Sequence, residues 1–257
     1  MTKEVKSIWT QEYEVNTFLV NPHKRLGLFG LLNLLQDTAW IHATHLGHGH
    51  EDMIREQALW VLTRQKLTMH DWPLWGHKVQ VRTWVRPISG ISAIRDFEVL
   101  SDGKVVGECV TSWLTLDMQT RKPISSKNRA RETYFRTDHN LTINTAKVPL
   151  QTHLSPLIQF AVRNSDLDMN GHVNNTRYAQ WILDSIPMHM HETYTLKTYE
   201  VNFLAETHNH DRVIIKGQRV SEIEPTQKIF HFEGQRVSDG KIIFASRVES
   251  VDGAEKR

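Results

Sequence analysis

A long-period internal repeat constrains this chain more than any other feature. Phe18-Leu-Val-Asn-Pro-His-Lys-Arg-Leu-Gly-Leu-Phe-Gly-Leu-Leu32 can be laid on Phe160-Ala-Val-Arg-Asn-Ser-Asp-Leu-Asp-Met-Asn-Gly-His-Val-Asn174. Each segment runs from a short apolar strand through a polar link into a helix. Further on, Ser101-Asp-Gly-Lys-Val-Val106 matches Ser238-Asp-Gly-Lys-Ile-Ile243. Asp-Gly between β-rich segments signals a hairpin. Self-similarity at a fixed spacing means one folding unit used twice. The 257 residues leave room for two units, each with its own core.

The order of elements is the same in both copies. A strand leads to a helix, and β-rich segments follow. In the first copy these are Leu59 to Met69, Val79 to Val85, Ile94 to Leu100 and Val105 to Leu116. In the second they are Tyr199 to Leu204, Arg212 to Val220, Lys228 to Val237 and Lys241 to Val251. A helix followed by antiparallel strands reads as α+β. The first helix, roughly Leu26 to His45, is apolar nearly all round, with Leu28, Phe29, Leu31, Leu32, Leu34, Leu35, Ala39, Trp40 and Ile41. Such a helix is buried, and a buried helix wrapped by an antiparallel sheet is a hotdog. The expected architecture is therefore a tandem double hotdog. Its first unit covers 1–135 and its second 156–257. A polar linker at 136–155 continues a basic stretch carrying Lys122, Lys127, Arg129, Arg131 and Arg136.

The reactive chemistry concentrates in the second copy. Asn164-Ser-Asp-Leu-Asp-Met-Asn-Gly-His-Val-Asn-Asn175 carries Asp166, Asp168, Asn170 and His172. It feeds a helix whose apolar stripe is Val173, Tyr178, Trp181, Ile182 and Ile186, ended by Pro187. In an extended chain, Asp168, Asn170 and His172 would point the same way. The helix start would add free N–H groups near Val173, suited to an oxyanion. The competing reading makes Asp168 and Asn170 ordinary turn and capping residues. In the ungapped pairing of the copies, Asp168 faces Leu26, Asn170 faces Leu28 and His172 faces Gly30. With a slightly different offset, Glu206 faces Trp72. The expectation is one catalytic copy and one copy kept for packing and for an apolar pocket.

Composition narrows the alternatives. A net charge of +2 gives no general pull toward nucleic acid. No apolar run reaches membrane-spanning length. Met1-Thr-Lys-Glu-Val-Lys6 has no apolar signal region, and one cysteine, Cys109, suits a reducing, cytoplasmic compartment. His42, His45, His48 and His50 are more simply helix-end residues than metal ligands. His208-Asn-His210 reads the same way, as a probable turn.

At this point the residues resemble a family. Asp166-Leu-Asp-Met-Asn-Gly-His-Val-Asn-Asn175, with Tyr178 and Trp181-Ile-Leu183, is similar to the signature of plant and bacterial acyl-ACP thioesterases. So are Leu35-Gln-Asp-Thr-Ala39, Trp60-Val-Leu-Thr-Arg64, Trp75-Gly76, Val81-Arg-Thr-Trp-Val85, Arg95-Asp-Phe97 and Asp117 to Arg121, in order along nearly the whole chain. The resemblance implies hydrolysis of the thioester between a fatty acyl chain and the phosphopantetheine arm of acyl carrier protein. It maps the catalytic Asp, Asn, His and Glu onto Asp168, Asn170, His172 and Glu206. Many plant members carry a Cys after that Glu. Here Thr207 stands there and Cys109 lies far away, which argues against a cysteine nucleophile.

Glu206 is the favoured base for water and Asp168 the runner-up, as base or attacking carboxylate. His172 would orient the water or polarise the carbonyl, and the Asn170 amide would bind the oxyanion. Leu31, Leu32, Leu35 and Val173 are the expected substrate-binding residues. No cofactor or metal is expected, and the expected partner is acyl carrier protein bearing the acyl chain, with a homodimer one open assembly. The alternatives are an acyl-CoA thioesterase, usually a single hotdog unit used as a dimer, and a non-catalytic acyl-binding hotdog protein. A hotdog dehydratase is opposed by the Asp-x-Asn-x-His order.

Overall fold

The computed structural model describes residues 6–88, 90–124, 134–218 and 229–253. Lys127, Arg129 and Arg131 of the basic stretch, and the expected strand ends Arg219, Val220 and Lys228, lie outside the described residues. The chain divides into two compact units, Met1–Thr145 and Ala146–Arg257.

The first unit contains β1 (Ile8–Glu14), α1 (Leu28–His45), α2 (His50–Arg55), β2 (Ala58–Met69), β3 (Lys78–Val85), β4 (Ser92–Ser101), β5 (Lys104–Asp117) and the two-residue β6 (Pro123–Ile124). Its sheet runs β1-β3-β4-β5-β2, all antiparallel, and β6 pairs with the end of β5. The second unit contains β7 (Ser155–Ala161), α3 (Asn175–Ser185), α4 (Met188–Thr193), β8 (Tyr194–Phe203), β9 (Arg212–Gly217), β10 (Ile229–Arg236) and β11 (Ile242–Asp252). Its order is β7-β9-β10-β11-β8, again antiparallel. Strand for strand, the two orders are the same. The fold is α+β, a tandem of two hotdog units, and the repeat in the sequence is a repeat of topology.

Alternation explains the strands. In β9, Val213, Ile215 and Gly217 are buried while Ile214 and Lys216 are less so, the two-residue period of a sheet with one face on a core. The matched hairpins close differently. Asp102 and Gly103 take φ of +49° and +73° and form a two-residue turn between β4 and β5, as Asp-Gly favours. The second copy closes a longer loop. There the Arg236 N–H bonds Lys241 O and its guanidinium grips the Asp239 carboxylate at 2.7 Å.

Helix α1 packs on β1 and β3, and α3 on β9. Leu31, Leu32 and Leu35 are 0–2 % exposed; burying each contributes roughly 1.5–3 kcal/mol. The helix is not apolar all round, however. Gln36, Asp37, Trp40 and Thr44 form an exposed stripe, with Trp40 45 % exposed. Gly27 caps its N-terminus, and Gly30 sits where the Leu19 carbonyl crosses: a Cβ there would lie 2.5 Å from that oxygen. His42 is buried, its Nδ1 taking a hydrogen bond from Arg95 and its Nε2 bonded to Lys6 O. Burial first, then the Arg95 charge, hold its pKa down at about 3, so it stays neutral.

The segment expected as a linker is fastened down. Arg86 binds the fully buried Asp96 carboxylate at 2.8–2.9 Å and also reaches Leu141 O, Ile143 O and Asn144. Asp96 accepts the Leu141 N–H as well. In the second unit, Asn202 bonds the Val148 N–H and Ala146 O, and Glu233 takes the Gln151 N–H.

Candidate active site

The candidate residues of the second unit occupy two adjoining backbone segments. The first, Asp168 to His172, is a tight turn and not an extended strand. The Asp168 N–H bonds His172 O at 2.7 Å, the Gly171 N–H bonds Asp168 O, and Gly171 takes a φ of +75° that glycine permits. The alternation expected for Asp168, Asn170 and His172 is thereby replaced by a reversal of the chain. Asp168 Oδ1 builds that reversal by accepting the backbone N–H groups of Asn170 (2.8 Å) and His172 (3.2 Å). Asn170 stands exposed near its tip.

The second segment follows β8. The Val173 N–H donates to Thr207 O at 2.9 Å, and His172 pairs with His208 in an antiparallel bridge. Below it, the Tyr178 hydroxyl donates to Thr207 Oγ1 at 3.0 Å. Burial raises the Tyr178 pKa to about 12, which keeps that proton in place. The Arg236 guanidinium donates to the Glu206 carbonyl at 2.8 Å. These bonds hold Glu206 beside the turn, with its Oε1 4.0 Å from His172 Nδ1. Both side chains are about one-third exposed, so water reaches them.

The N–H groups of Val173, Asn174 and Thr176 at the helix start are taken. Helix α3 begins at Asn175, capped by the Asn174 side chain, which accepts the Thr176 N–H. The Val173 N–H is bound to Thr207 O and the Asn174 N–H to Asp166 O, while Asn170, Gly171 and His172 donate to Asp168. Val173 itself is 4 % exposed and packs in the interior. The Val173 and Asn174 N–H groups are therefore not free to bind an oxyanion, while the Asn170 side chain stands exposed beside them.

The same turn exists in the first unit, and it corrects the pairing of the copies. Asn21 Oδ1 accepts the N–H groups of His23 and Arg25, the Asn21 N–H bonds Arg25 O, and Lys24 takes a φ of +58°. The Leu26 N–H bonds Pro73 O, and Arg25 bridges Leu74. Asp168, Asn170 and His172 thus correspond to Asn21, His23 and Arg25, five residues from the ungapped register. Those partners are polar, so the first copy is not simply apolar there. Glu206 does correspond to Trp72, which is 8 % exposed. The first copy keeps the turn and lacks the imidazole–carboxylate pair.

Two further readings bear on the chemistry. Cys109 is fully buried in β5, with Gln65 Nε2 at 3.5 Å from its Sγ. Desolvation pushes its pKa up to about 12, so it is a poor thiolate. His208, read from sequence as a turn residue, joins the cluster: its Nε2 lies 4.0 Å from Glu206 Oε2. The signal was the two-residue spacing from Glu206, which sequence periodicity can exploit only once the register is known.

A helix wrapped by an antiparallel sheet, built twice, with His172 and Glu206 set 4.0 Å apart beside the Asp168 turn in one copy alone, is a tandem hotdog with its reactive groups in the second unit. Residues 6–134 match the acyl-ACP thioesterase N-terminal domain, and residues 151–249 the C-terminal domain. The chain belongs to the acyl-ACP thioesterase family. It is 26 % identical over 267 residues to oleoyl-acyl carrier protein thioesterase 1, chloroplastic, of Arabidopsis thaliana, covering 96 % of this chain and 73 % of that protein. It spans 60–67 % of the length of four further plant relatives. A crystal structure of an acyl-ACP thioesterase from Bacteroides thetaiotaomicron superposes with a TM-score of 0.86 at 27 % identity, over 95 % of this chain and 98 % of that one. The 12:0-ACP thioesterase of Umbellularia californica shares the fold, with a TM-score of 0.76 at 17 % identity over 96 % and 98 % of the two chains.

Proposed function

We propose that Glu206, His172, Asn170 and Asp168 carry out the reaction of this family, hydrolysis of fatty acyl-ACP to free fatty acid and holo-ACP. The observation that carries the assignment is the His172–Glu206 pair, 4.0 Å apart and open to water, in the copy where Trp72 and Arg25 have been replaced. Glu206 takes a proton from water as its oxygen attacks the thioester carbonyl carbon. His172 orients that water. The Asn170 amide stabilises the oxyanion of the tetrahedral intermediate. Collapse breaks the C–S bond, and the phosphopantetheine thiolate leaves and takes the proton back from the Glu206 carboxylic acid, which restores the carboxylate. Asp168 holds the turn that presents Asn170 and His172; it remains the second candidate for the base. Leu31, Leu32 and Leu35 in the first unit are assigned the reading of acyl length.

A cytoplasmic site of action and a carrier-protein substrate complete this reading. The lone buried thiol suits a reducing compartment, and among the described residues no helix is long and apolar enough to cross a membrane. Light scattering decides between a single chain and a homodimer.

The test is thiol release from acyl-ACP and from acyl-CoA of matched chain length, by the wild type and Glu206→Ala. Carrier-protein substrates are expected to show the higher kcat/KM. Glu206→Ala is expected to lose on the order of 10²–10⁴ in rate with its fold intact. A higher kcat/KM on acyl-CoA would favour the alternative enzyme class. Tight acyl binding without turnover would favour a binding module. Near-wild-type turnover by folded Glu206→Ala would remove Glu206 as the base.

A further inference from the structure

We propose that His172, Glu206 and His208 form a zinc-binding site whose occupation stops hydrolysis. Their ligand atoms all lie within 4.8 Å of one another. The His172 Nδ1–Glu206 Oε1 and His208 Nε2–Glu206 Oε2 separations are both 4.0 Å. The two imidazoles meet edge to face, with centroids 4.7 Å apart. Tetrahedral zinc, with bonds of about 2.0–2.2 Å, places its ligands about 3.3–3.5 Å from one another. The three groups therefore stand about 0.5–1.5 Å wider than a closed zinc site.

The backbone beneath these side chains is already fixed. His172 and His208 are cross-strand neighbours, the Val173 N–H is tied to Thr207 O, and the His208 N–H is tied to Asp211 at 2.9 Å. Arg236 holds the Glu206 carbonyl. A frame held in this way needs little ordering when a metal arrives. Two imidazoles and one carboxylate form a donor set for zinc, whereas magnesium and calcium prefer oxygen ligands. The side chains are 33 %, 38 % and 50 % exposed, leaving room for water as a fourth ligand. In the first copy the equivalent positions are Arg25, Trp72 and Leu74, none of which could ligate, so the site belongs to the second copy alone. His208 has no part in the hydrolytic scheme.

Zinc would take the Glu206 carboxylate and the Nδ1 lone pair of His172 together, removing the groups that activate and orient water. This effect on rate rests on the proposed role of Glu206; the binding does not. The experiment uses the full chain, free of any histidine tag and stripped with chelator. Cobalt(II) replaces zinc for visible spectroscopy, and acyl-ACP hydrolysis is followed against free zinc. The wild type should show the absorption of tetrahedral cobalt and chelator-reversible inhibition by micromolar zinc. His208→Gln should lose that absorption and weaken inhibition, measured relative to the variant's own metal-free rate, by at least the roughly 10–100-fold that loss of an outer-shell partner already costs. His48→Gln, altered in the other histidine group, should keep both. An unchanged cobalt spectrum in His208→Gln, or zinc inhibition equally strong in that variant, overturns the site. Activation by zinc would overturn the inhibitory role. Cobalt binding that needs His208 but leaves the rate untouched would overturn that role too, together with Glu206 as the base.

Discussion

Asp168 is the residue whose structural and chemical roles can be separated, because the molecule already contains the control. In the first unit Asn21 performs the same turn-building task with a neutral amide, accepting two N–H groups at 3.0 and 3.2 Å. Asp168 accepts its two at 2.8 and 3.2 Å. Asp168→Asn should therefore keep the turn, whereas Asp168→Ala removes both acceptors. At about 0.5–1.5 kcal/mol per hydrogen bond, the alanine variant should lose about 1–3 kcal/mol, and the asparagine variant well under 1 kcal/mol. Thermal unfolding resolves this difference, since 1 kcal/mol shifts Tm by several degrees in units of this size, roughly 4–8 °C for the smallest. Acyl-ACP hydrolysis is then measured on the same preparations. Loss of the charge should lower the rate of Asp168→Asn by on the order of 10², at wild-type stability. If Asp168→Asn is as unstable as Asp168→Ala, the equivalence with Asn21 is wrong. If it is stable and fully active, Asp168 serves only the turn and cannot be a base or a nucleophile.

Cys109→Ala should retain activity, and alkylating reagents should leave the native enzyme active, because the thiol is fully buried with its pKa near 12; rapid, substrate-protected alkylation would contradict this. Asp96→Ala should lower stability by about 3–5 kcal/mol in denaturant unfolding, since it leaves the Arg86 guanidinium without its buried partner. Leu31→Phe, Leu32→Phe and Leu35→Phe, tested singly, should shorten the preferred acyl chain, with an added strain of about 1–3 kcal/mol. The profile of released fatty acids measures this. Unchanged profiles in all three stable variants would take the reading of acyl length away from α1.

The sequence by itself determined that the chain is two copies of one α+β unit. Strand alternation, the burial of α1 and the paired Ser-Asp-Gly-Lys segments are local patterns, and hydrophobic period translates directly into element type. It also marked the residue types of the candidate site, because the polar run before α3 stands out against its apolar surroundings. The offset between the copies was not legible. Side-chain identity misleads there: Asn21 and Asp168 match through hydrogen bonds to backbone, and only coordinates show those. Nor could alternation reveal that Asp168 to His172 reverses direction, because a turn is decided by one left-handed glycine and one side-chain acceptor. The pairing of His172 with Glu206, and the arrival of His208 beside them, join segments more than thirty residues apart in the chain. Only the tertiary structure decides such a meeting, because it depends on which backbone N–H of one loop finds a carbonyl of another, here Val173 on Thr207.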